Sequence, residues 1–401
     1  MAQRVPCVIM RGGTSKAVFL READLPTEPS RREALVLAIF GSPDRRQIDG
    51  LGGADPLTSK LAIIGPPLHD LPEAQETDLT YTFGQVEIEH PEIDWLSLCG
   101  NISSAVGLYA IEEGLVEARS PVTRVVAYNT NLRRKLSIEV PTEYGRPVET
   151  GNFIVPGVPG SGPKIVIDFR DTAGGATGSI LPTGNPVDRL DIPDFGPLEA
   201  SLVDIGNAHV FVRAVDIGMA GTESAAQIDA NTSLRALLER IRGVAAKKMR
   251  MIKNASRSRD DSPATPLLAI VSPPAEYRDD LTGTRIMAEQ VDLVSRVMFM
   301  QQAHKTYAGT STVCTGVAAR IPGTVVHEQA RPQTRGAMEV RIGHPAGIIT
   351  TESAVSLVGN DYRVERATLG RTARRIMEGT VFVAGKEEPS ASHMAAVHGA
   401  G

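Results

Sequence analysis

Hydrophobic residues along the chain occur in short runs that glycine and proline separate. Most runs are rich in β-branched side chains and are bounded by turn residues, which is the pattern of β-strands. The pattern predicts strands at residues 5–10, 17–20, 61–64, 86–88, 123–127, 136–140, 165–169, 210–212, 267–271, 338–342, 362–367 and 380–383.

Five stretches have a helical pattern instead, at residues 31–40, 102–113, 234–251, 291–303 and 313–319. The second is apolar and rich in small side chains, which predicts a buried helix. The third is amphipathic and follows a capping signal at residues 231–233. Many strands with one or two buried helices in each half predict an α+β fold rather than a regular β-α-β series.

Two loop-rich stretches, residues 156–163 and 174–185, interrupt this pattern. We place a boundary at the second, which predicts an N-terminal lobe over residues 1–184 and a C-terminal lobe over residues 185–384. A return of the last strand to the first lobe is compatible with the sequence. Residues 385–401 are predicted to form a frayed tail. Cys99 and Cys314 each begin a small-residue helix, one in each half, which is a weak sign of a duplicated fold.

The composition is that of a globular protein. Of 401 residues, 42% are hydrophobic, and 42 Lys and Arg nearly balance 47 Asp and Glu, which argues against a dedicated nucleic-acid binder. No run of about 18 apolar residues predicts a membrane span, and the N-terminus lacks a secretion pattern. Three scattered cysteines fit neither a disulfide framework nor a metal site. We therefore expect a cytoplasmic protein with free thiols and no metal.

Cys99 precedes the predicted buried helix, which starts at Gly100 and Asn101. The unpaired N–H groups and partial positive charge of a helix N-terminus favour a thiolate and can also hold a carboxylate. The alternative is an inert core cysteine, the usual state of a free cysteine. Gly100 favours the first interpretation, because glycine lets a ligand approach the backbone.

Lys60 follows a glycine turn at the start of an apolar strand. Burial there would lower the pKa of Lys60 and make it a base near neutral pH, whereas a lysine at a sheet edge would extend to water. A second glycine turn, residues 11–16, offers N–H groups, hydroxyls and cations to an anion but is equally compatible with an ordinary hairpin. Its spacing is not that of a phosphate-binding P-loop.

The C-terminal half contains three polar turns with histidine, at residues 206–209, 304–311 and 343–347. An isolated histidine is more often structural than catalytic, so these turns are secondary candidates. Arg371, Arg374 and Arg375 form a late basic cluster that we interpret as a solvated face.

Together these motifs resemble the PrpF-type isomerase family, which includes 2-methylaconitate isomerase, 3-methylitaconate Δ-isomerase, aconitate isomerase and 4-oxalomesaconate tautomerase. The resemblance is carried by MRGGTSK at residues 10–16, QIDGLGGADPLTSK at residues 47–60, FGQV at residues 83–86 and CGNISSAVG at residues 99–107. Shorter matches at Asn207, His304 and residues 321–324, 343–345 and 377–379 extend it over nearly the whole chain.

The resemblance implies the diaminopimelate-epimerase-like fold, in which two similar lobes each wrap a sheet around a central helix and the ligand lies between them. It implies a cofactor-independent 1,3-allylic shift of a C=C bond in a small unsaturated di- or tricarboxylate. Lys60 and Cys99 correspond to the family's acid/base pair, in an order that the sequence leaves open. The substrate-binding candidates are Gly12, Gly13, Thr14, Ser15, Gly100, Asn101, Ile102, Asn207, His304, Gly309, Thr310 and Ser311.

Several alternatives stay open. If Cys314 is a second acid/base residue facing Cys99, a two-cysteine racemase or epimerase is implied. Relatives usually carry Ser-Gly-Asn before the cysteine motif, whereas this chain carries Leu96-Ser97-Leu98, and this apolar neighbour is also compatible with a non-catalytic protein with a vestigial cleft. The segment LGGADPLTSK at residues 51–60 resembles the methylitaconate and oxalomesaconate branch of the family more closely than the methylaconitate branch. The oligomeric state is open, with a homo-oligomer among the options.

Overall fold

The structure is a computed structural model that describes residues 2–359 and 361–384, so the predicted tail at residues 385–401 lies outside the described residues. The strands in this part of the chain are β1 (Gln3–Gly12), β2 (Ser15–Arg21), β3 (Lys60–Gly65), β4 (Leu79–Val86), β5 (Ile93–Asp94), β6 (Val122–Asn129), β7 (Arg134–Glu143), β8 (Arg146–Pro147), β9 (Ile165–Asp168), β10 (Asp188–Ile192), β11 (Gly196–Ile205), β12 (Asn207–Arg213), β13 (Leu267–Ser272), β14 (Tyr277–Arg278), β15 (Arg285–Ile286), β16 (Leu293–Phe299), β17 (Gln302–Ala303), β18 (Glu339–His344), β19 (Gly347–Val358), β20 (Asp361–Arg371) and β21 (Ala373–Val383). The helices are α1 (Pro29–Phe40), α2 (Gly100–Glu112), α3 (Ala225–Ala230), α4 (Thr232–Lys248), α5 (Ser258–Asp261), α6 (Gly309–Ala318) and α7 (Val325–Gln329).

Two halves of one continuous sheet repeat the same pattern of strand pairing. In the first half, β1–β2, β3–β4 and β6–β7 are antiparallel, while β2–β3 and β4–β6 are parallel. In the second, β11–β12, β13–β16 and β18–β19 are antiparallel, while β12–β13 and β16–β18 are parallel. The helices take matching places, since α1 and α4 precede the third strand of each set and α2 and α6 precede the fifth. The chain therefore contains two lobes of similar topology.

The helices α2 and α6 are the central helices of these lobes. Residues 100–111 of α2 and all ten residues of α6 are buried, which explains why both sequences are mostly small and apolar and have no charged face. Both helices share one hydrophobic cluster with strands of both halves. By contrast, α1 and α4 pack on clusters of their own. The α+β class predicted from the sequence is confirmed.

The last two strands return to the N-terminal half of the sheet. β20 pairs with β9, and β21 pairs with β1 over the full length of β1. The connection between them lies beside the β1–β2 turn, where the C=O of Thr372 accepts hydrogen bonds from Gly13 N–H (2.9 Å) and from the Arg11 guanidinium (2.9 Å). This return brings Arg371 to the start of α2.

The predicted helix at residues 291–303 is wrong, because this stretch forms β16 and β17. Almost all of β16 is buried, and β13 and β18 flank it on either side. A strand that is buried on both faces is a continuous apolar run without alternation, so periodicity does not distinguish it from a buried helix. The strand predicted at residues 86–88 is also misplaced, since β4 already ends at Val86.

The start of the helix predicted at residues 313–319 is wrong as well. α6 begins at Gly309, so Cys314 lies inside the helix and not at its start. The polar residues before Val313 have the composition of a turn, but the Thr312 hydroxyl donates to the C=O of Ala308 (3.0 Å) and is thereby accommodated in the first turn of the helix. Among the described residues, no helix combines the length and apolarity needed to cross a membrane.

Candidate active site

A pocket lies where the two lobes meet, at the N-termini of α2 and α6. It contains both acid/base candidates, Lys60 and Cys99. Seven of its lining residues belong to the C-terminal lobe, with the bounds predicted from the sequence, so neither lobe alone forms the pocket. The lining residues are Ser15, Leu57, Lys60, Phe83, Ser97, Leu98, Cys99, Gly100, Asn101, Asn207, Leu267, Phe299, His304, Ala308, Gly309 and Thr310.

The two helix N-termini touch each other through glycine. A Cβ atom on Gly100 would lie 2.9 Å from the carbonyl carbon of Gly309, and one on Gly309 would lie 2.9 Å from the carbonyl carbon of Gly100. The first intrahelical bonds run from Ser103 N–H to Cys99 C=O and from Thr312 N–H to Ala308 C=O. The N–H groups before them have no acceptor within their own helix, and two such N-termini side by side favour an anion.

Lys60 begins β3 and is only 3% exposed. Its Nζ donates to Oε1 of Gln85 (2.5 Å) and lies 5.4 Å and 5.0 Å from the ring centres of Phe83 and Phe299. Burial lowers the pKa of Lys60, although the nearby Cys99 and two aspartates act in the opposite direction. A neutral amine is therefore more accessible here than on an exposed lysine.

Cys99 occupies the N-cap position of α2 and is half-buried. The peptide before it is held from the other lobe by Asn207, whose Oδ1 accepts from Leu98 N–H (2.8 Å) and whose Nδ2 donates to Leu98 C=O (2.8 Å). The same Nδ2 also donates to the Thr310 hydroxyl (3.1 Å). Both ends of the Asn207 amide are thus engaged, and its contacts position the segment that carries Cys99.

The β1–β2 turn closes onto the start of α2. The Asn101 side chain donates to the Thr14 hydroxyl (3.1 Å), and a Cβ atom on Gly13 would lie 2.2 Å from Asn101 Oδ1. A Cβ atom on Gly12 would be 2.4 Å from the Asn101 carbonyl oxygen. The two glycines and Thr14 therefore lie behind the pocket wall. Ser15 lines the pocket itself, and its buried hydroxyl has no hydrogen-bond partner within the described part of the chain.

Arg371 is a residue that sequence reasoning missed. The solvated-face interpretation is wrong for it, because Arg371 is 2% exposed and its Nε donates to Asn101 Oδ1 (2.7 Å). Burial lowers the pKa of Arg371 to about 9, and no carboxylate of the described residues forms an ion pair with it. The sequence signal for its burial is the two-residue alternation of a β-strand, because Ala367, Leu369 and Arg371 lie on the same face of β20 and are all buried.

The two central histidines have different surroundings. Thr306 N–H donates to Nδ1 of His304 (3.1 Å), so the ring proton is assigned to Nε2. Burial and the nearby Lys60 lower the pKa of His304 to about 4, which leaves it neutral in the pocket wall. His209 instead bonds Asn207 C=O (2.8 Å) and the Ser311 hydroxyl (2.7 Å), so Ser311 faces this histidine and not the pocket.

Cys314 is not brought to the pocket. Its side chain is fully buried, its thiol contacts the C=O of Val203 (3.7 Å), and burial raises its pKa well above the ordinary thiol value. The topological counterpart of Cys99, the residue directly before the central helix, is Ala308. Ile102 also lies in the core and away from the pocket.

The counterpart of Lys60 is Leu267, because these residues begin the matching strands β3 and β13. The C-terminal lobe therefore presents Leu267 and Ala308 at the places where the N-terminal lobe presents Lys60 and Cys99. Within the described ranges, no three His, Cys, Asp or Glu side chains are grouped as metal ligands.

Comparison with known proteins identifies the family. The PrpF protein model matches residues 2–384. The 3-methylitaconate isomerase of Eubacterium barkeri is 51% identical over 95% of this chain and 97% of that protein. A crystal structure of methylitaconate-delta-isomerase matches with a TM-score of 0.79 at 49% identity, over 97% of this chain and 99% of that chain.

A hydroxyproline epimerase structure from Agrobacterium vitis is 11% identical, with a TM-score of 0.53 over 96% of this chain and 94% of that chain. This likeness concerns the fold alone, and it confirms the epimerase-like architecture that the motifs implied. The match to the family over almost the whole chain, together with the high identity to a named isomerase, settles the relationship. The chain therefore belongs to the PrpF family and is an isomerase.

Proposed function

We propose that this isomerase moves the C=C bond of a small unsaturated dicarboxylate of the 3-methylitaconate type by a 1,3-allylic proton shift, with Lys60 and Cys99 as the acid/base pair. The observation that carries the proposal is the asymmetry of the pocket. Lys60 and Cys99 line its N-terminal wall, while Leu267 and Ala308 occupy the matching places opposite and offer no acid or base. Because Cys314 lies outside the pocket, this geometry does not favour a two-cysteine racemase.

The chemistry needs one proton removed and one returned. A base takes the proton from the allylic carbon, and the C–H electron pair forms the new double bond as the old one shifts its electrons toward the far carbon. An acid then protonates that carbon, so the formula of the substrate is unchanged. The base is left with an extra proton and the acid without one, and solvent resets both. In the reverse direction Lys60 and Cys99 exchange roles, so each serves as acid and as base.

The intermediate carries negative charge that donors in the pocket wall can stabilise. The starts of α2 and α6, with their N–H groups, and the buried Ser15 all line this region. The Nε2–H of neutral His304 is a further donor in the wall, and Arg371 supplies positive charge beside Asn101. Donors that are fixed before the reaction stabilise a developing dienolate without reorganisation.

The apolar part of the pocket supports a dicarboxylate with an alkyl substituent. Leu98, Leu267, Phe299 and Ala308 provide an apolar surface, which suits a methyl group but would leave a third carboxylate without donors. The similarity to 3-methylitaconate isomerase agrees with this choice. Leu98 fits the same picture, since its side chain forms part of the pocket while its backbone is held by Asn207.

The test is turnover of four candidates: 3-methylitaconate, 2-methylaconitate, aconitate and 4-oxalomesaconate. Ultraviolet absorbance follows the conjugated double bond, and proton NMR identifies the product. We expect 3-methylitaconate to have a kcat/KM at least about tenfold above the three tricarboxylates, which corresponds to roughly 1.4 kcal/mol. A preferred tricarboxylate would contradict the dicarboxylate assignment, and no turnover of any candidate would contradict the proposal as a whole.

A further inference from the structure

Gln85 lies directly opposite Lys60, on the neighbouring strand β4. It is 1% exposed, and its Nε2 donates to the C=O groups of Pro56 and Ser59, both at 3.1 Å. Because the amide nitrogen is needed at these two carbonyls, the amide oxygen must point the other way. That oxygen is the acceptor for Lys60 Nζ (2.5 Å), so the orientation of the whole side chain is determined by its surroundings.

We propose that Gln85 is a positioning residue for Lys60, which fixes the direction of the lysine amine in the pocket and does so without a negative charge. The inference rests on the proposed acid/base role of Lys60. One N–H of the amine is bound to Gln85, which leaves the rest of the group, including the lone pair of its neutral form, in a defined orientation. A carboxylate in the same place would hold the amine equally well but would favour the ammonium form.

The charged and titratable groups around Lys60 support this role. Asp55 in the loop before β3, Asp94 in β5, Cys99 at the start of α2 and His304 from the other lobe all face it. Asp55 is paired with Lys305 (2.5 Å), and Asp94 accepts from the Ser97 hydroxyl (2.6 Å). Both carboxylates are therefore engaged elsewhere, and the direct partner of Lys60 is a neutral amide.

Two substitutions test the two parts of the inference. Gln85→Glu keeps the shape but adds a charge, so the acid limb of the kcat/KM profile should move to higher pH by about one unit or more. Competitive acetylation read by mass spectrometry should report the same rise in the pKa of Lys60, independently of activity. Gln85→Met removes the acceptor, so kcat should fall between ~10- and ~100-fold while KM changes little.

The matched control is Asn129→Asp, another amide-to-carboxylate change at a buried position of the N-terminal half. Asn129 bonds the C=O of Tyr81 (3.1 Å) and the N–H of Leu132 (2.9 Å), and Lys60 is not among its partners. This variant should lower stability without moving the acid limb.

Lys60→Ala distinguishes a failure of the positioning role of Gln85 from a failure of the proposed function. If Lys60→Ala is inactive but Gln85→Glu leaves both the acid limb and the pKa of Lys60 in place, the inference about Gln85 is overturned and the proposed function stands. If Lys60→Ala is active, the proposed function itself fails. Should Gln85→Glu not fold, Gln85→Met decides alone, and an unchanged kcat in that variant would overturn the positioning role.

Discussion

Two buried side chains have unmet polar requirements: Ser15 in the pocket wall and Arg371 beside the pocket residue Asn101. The Ser15 hydroxyl has no partner, and the buried Arg371 has no carboxylate, among the residues that the structure describes. A buried hydroxyl without a partner and a buried charge without a counter-ion both destabilise the empty protein, and a carboxylate ligand would reduce that penalty. This is the physical reason for regarding both as ligand contacts.

Arg371→Gln should therefore weaken substrate binding more than the chemical step. A hydrogen bond to a charged group is worth about 1.5–3 kcal/mol, so we expect KM to rise roughly 10- to 100-fold with a smaller change in kcat. Steady-state kinetics with 3-methylitaconate measures both. Arg374→Gln is the control, because Arg374 is exposed on the same stretch of chain. Equal effects of the two substitutions would contradict the assigned role of Arg371.

Sequence reasoning selected Lys60 and Cys99 because each stands in a long motif with a physical rationale. Arg371 could not be selected in the same way, because it stands in no such motif and the nearby Arg374 is exposed. Its burial comes from β20 pairing with β9, a contact between strands that are far apart in the sequence. Gln85 was visible in the FGQV motif, but its role requires the cross-strand partner Lys60.

The decisive contact between elements is that of the N-termini of α2 and α6. Gly309→Ala would place a methyl group against the backbone of Gly100 and force the helices apart. We expect kcat/KM to fall about 100-fold and stability to fall by about 1–3 kcal/mol. Kinetics and urea unfolding measure the two effects. Gly336→Ala is the control, because a Cβ atom there meets no neighbour within 4 Å; a Gly309→Ala enzyme as active as this control would contradict the account.

Most central elements could be predicted from the sequence, and the failure at residues 291–303 has a clear cause. A buried small-residue helix such as α2 carries its own signal, whereas the burial of β16 depends on its place between β13 and β18 inside the sheet. The local sequence pattern contains no information about which strands will flank a segment in the sheet. The start of α6 was missed for a related reason, since its hydroxyl-rich first turn has the composition of a loop.

At the scale of the whole molecule, the described residues form a duplicated fold in which only the N-terminal lobe carries the proposed acid/base pair, Lys60 and Cys99. The faint sequence echo aligned Cys99 with Cys314, but the topology aligns Cys99 with Ala308. Sequence could suggest the duplication without giving the correct register, because the two halves share strand order and not residues. A pocket whose acid/base candidates both lie on one side suits a one-sided proton shift better than a symmetric two-base reaction.

Buried histidines make the stability of the whole molecule sensitive to acid. His209 and His304 have pKa values lowered by burial to about 4, so the unfolded chain binds protons that the folded protein does not. Stability is therefore lost as pH falls below about 6.5, by about 2 kcal/mol for each histidine between pH 7.5 and pH 5.

Urea unfolding at these two pH values measures this loss. His209→Gln should lower stability at pH 7.5 but reduce the difference between the two pH values by about 2 kcal/mol. The exposed substitution His90→Gln should leave the difference unchanged. An unaltered pH dependence in His209→Gln would show that this histidine does not contribute.

The central claim is that Lys60 and Cys99 move the proton of a 3-methylitaconate-type dicarboxylate, and proton NMR of the reaction in deuterium oxide tests it most directly. The wild-type enzyme should isomerise 3-methylitaconate and place deuterium at the newly protonated carbon. Lys60→Ala and Cys99→Ala should each slow isomerisation by about 100-fold or more, because each removes one of the two proton-transfer groups. Isomerisation within about tenfold of the wild-type rate in either variant would contradict the account.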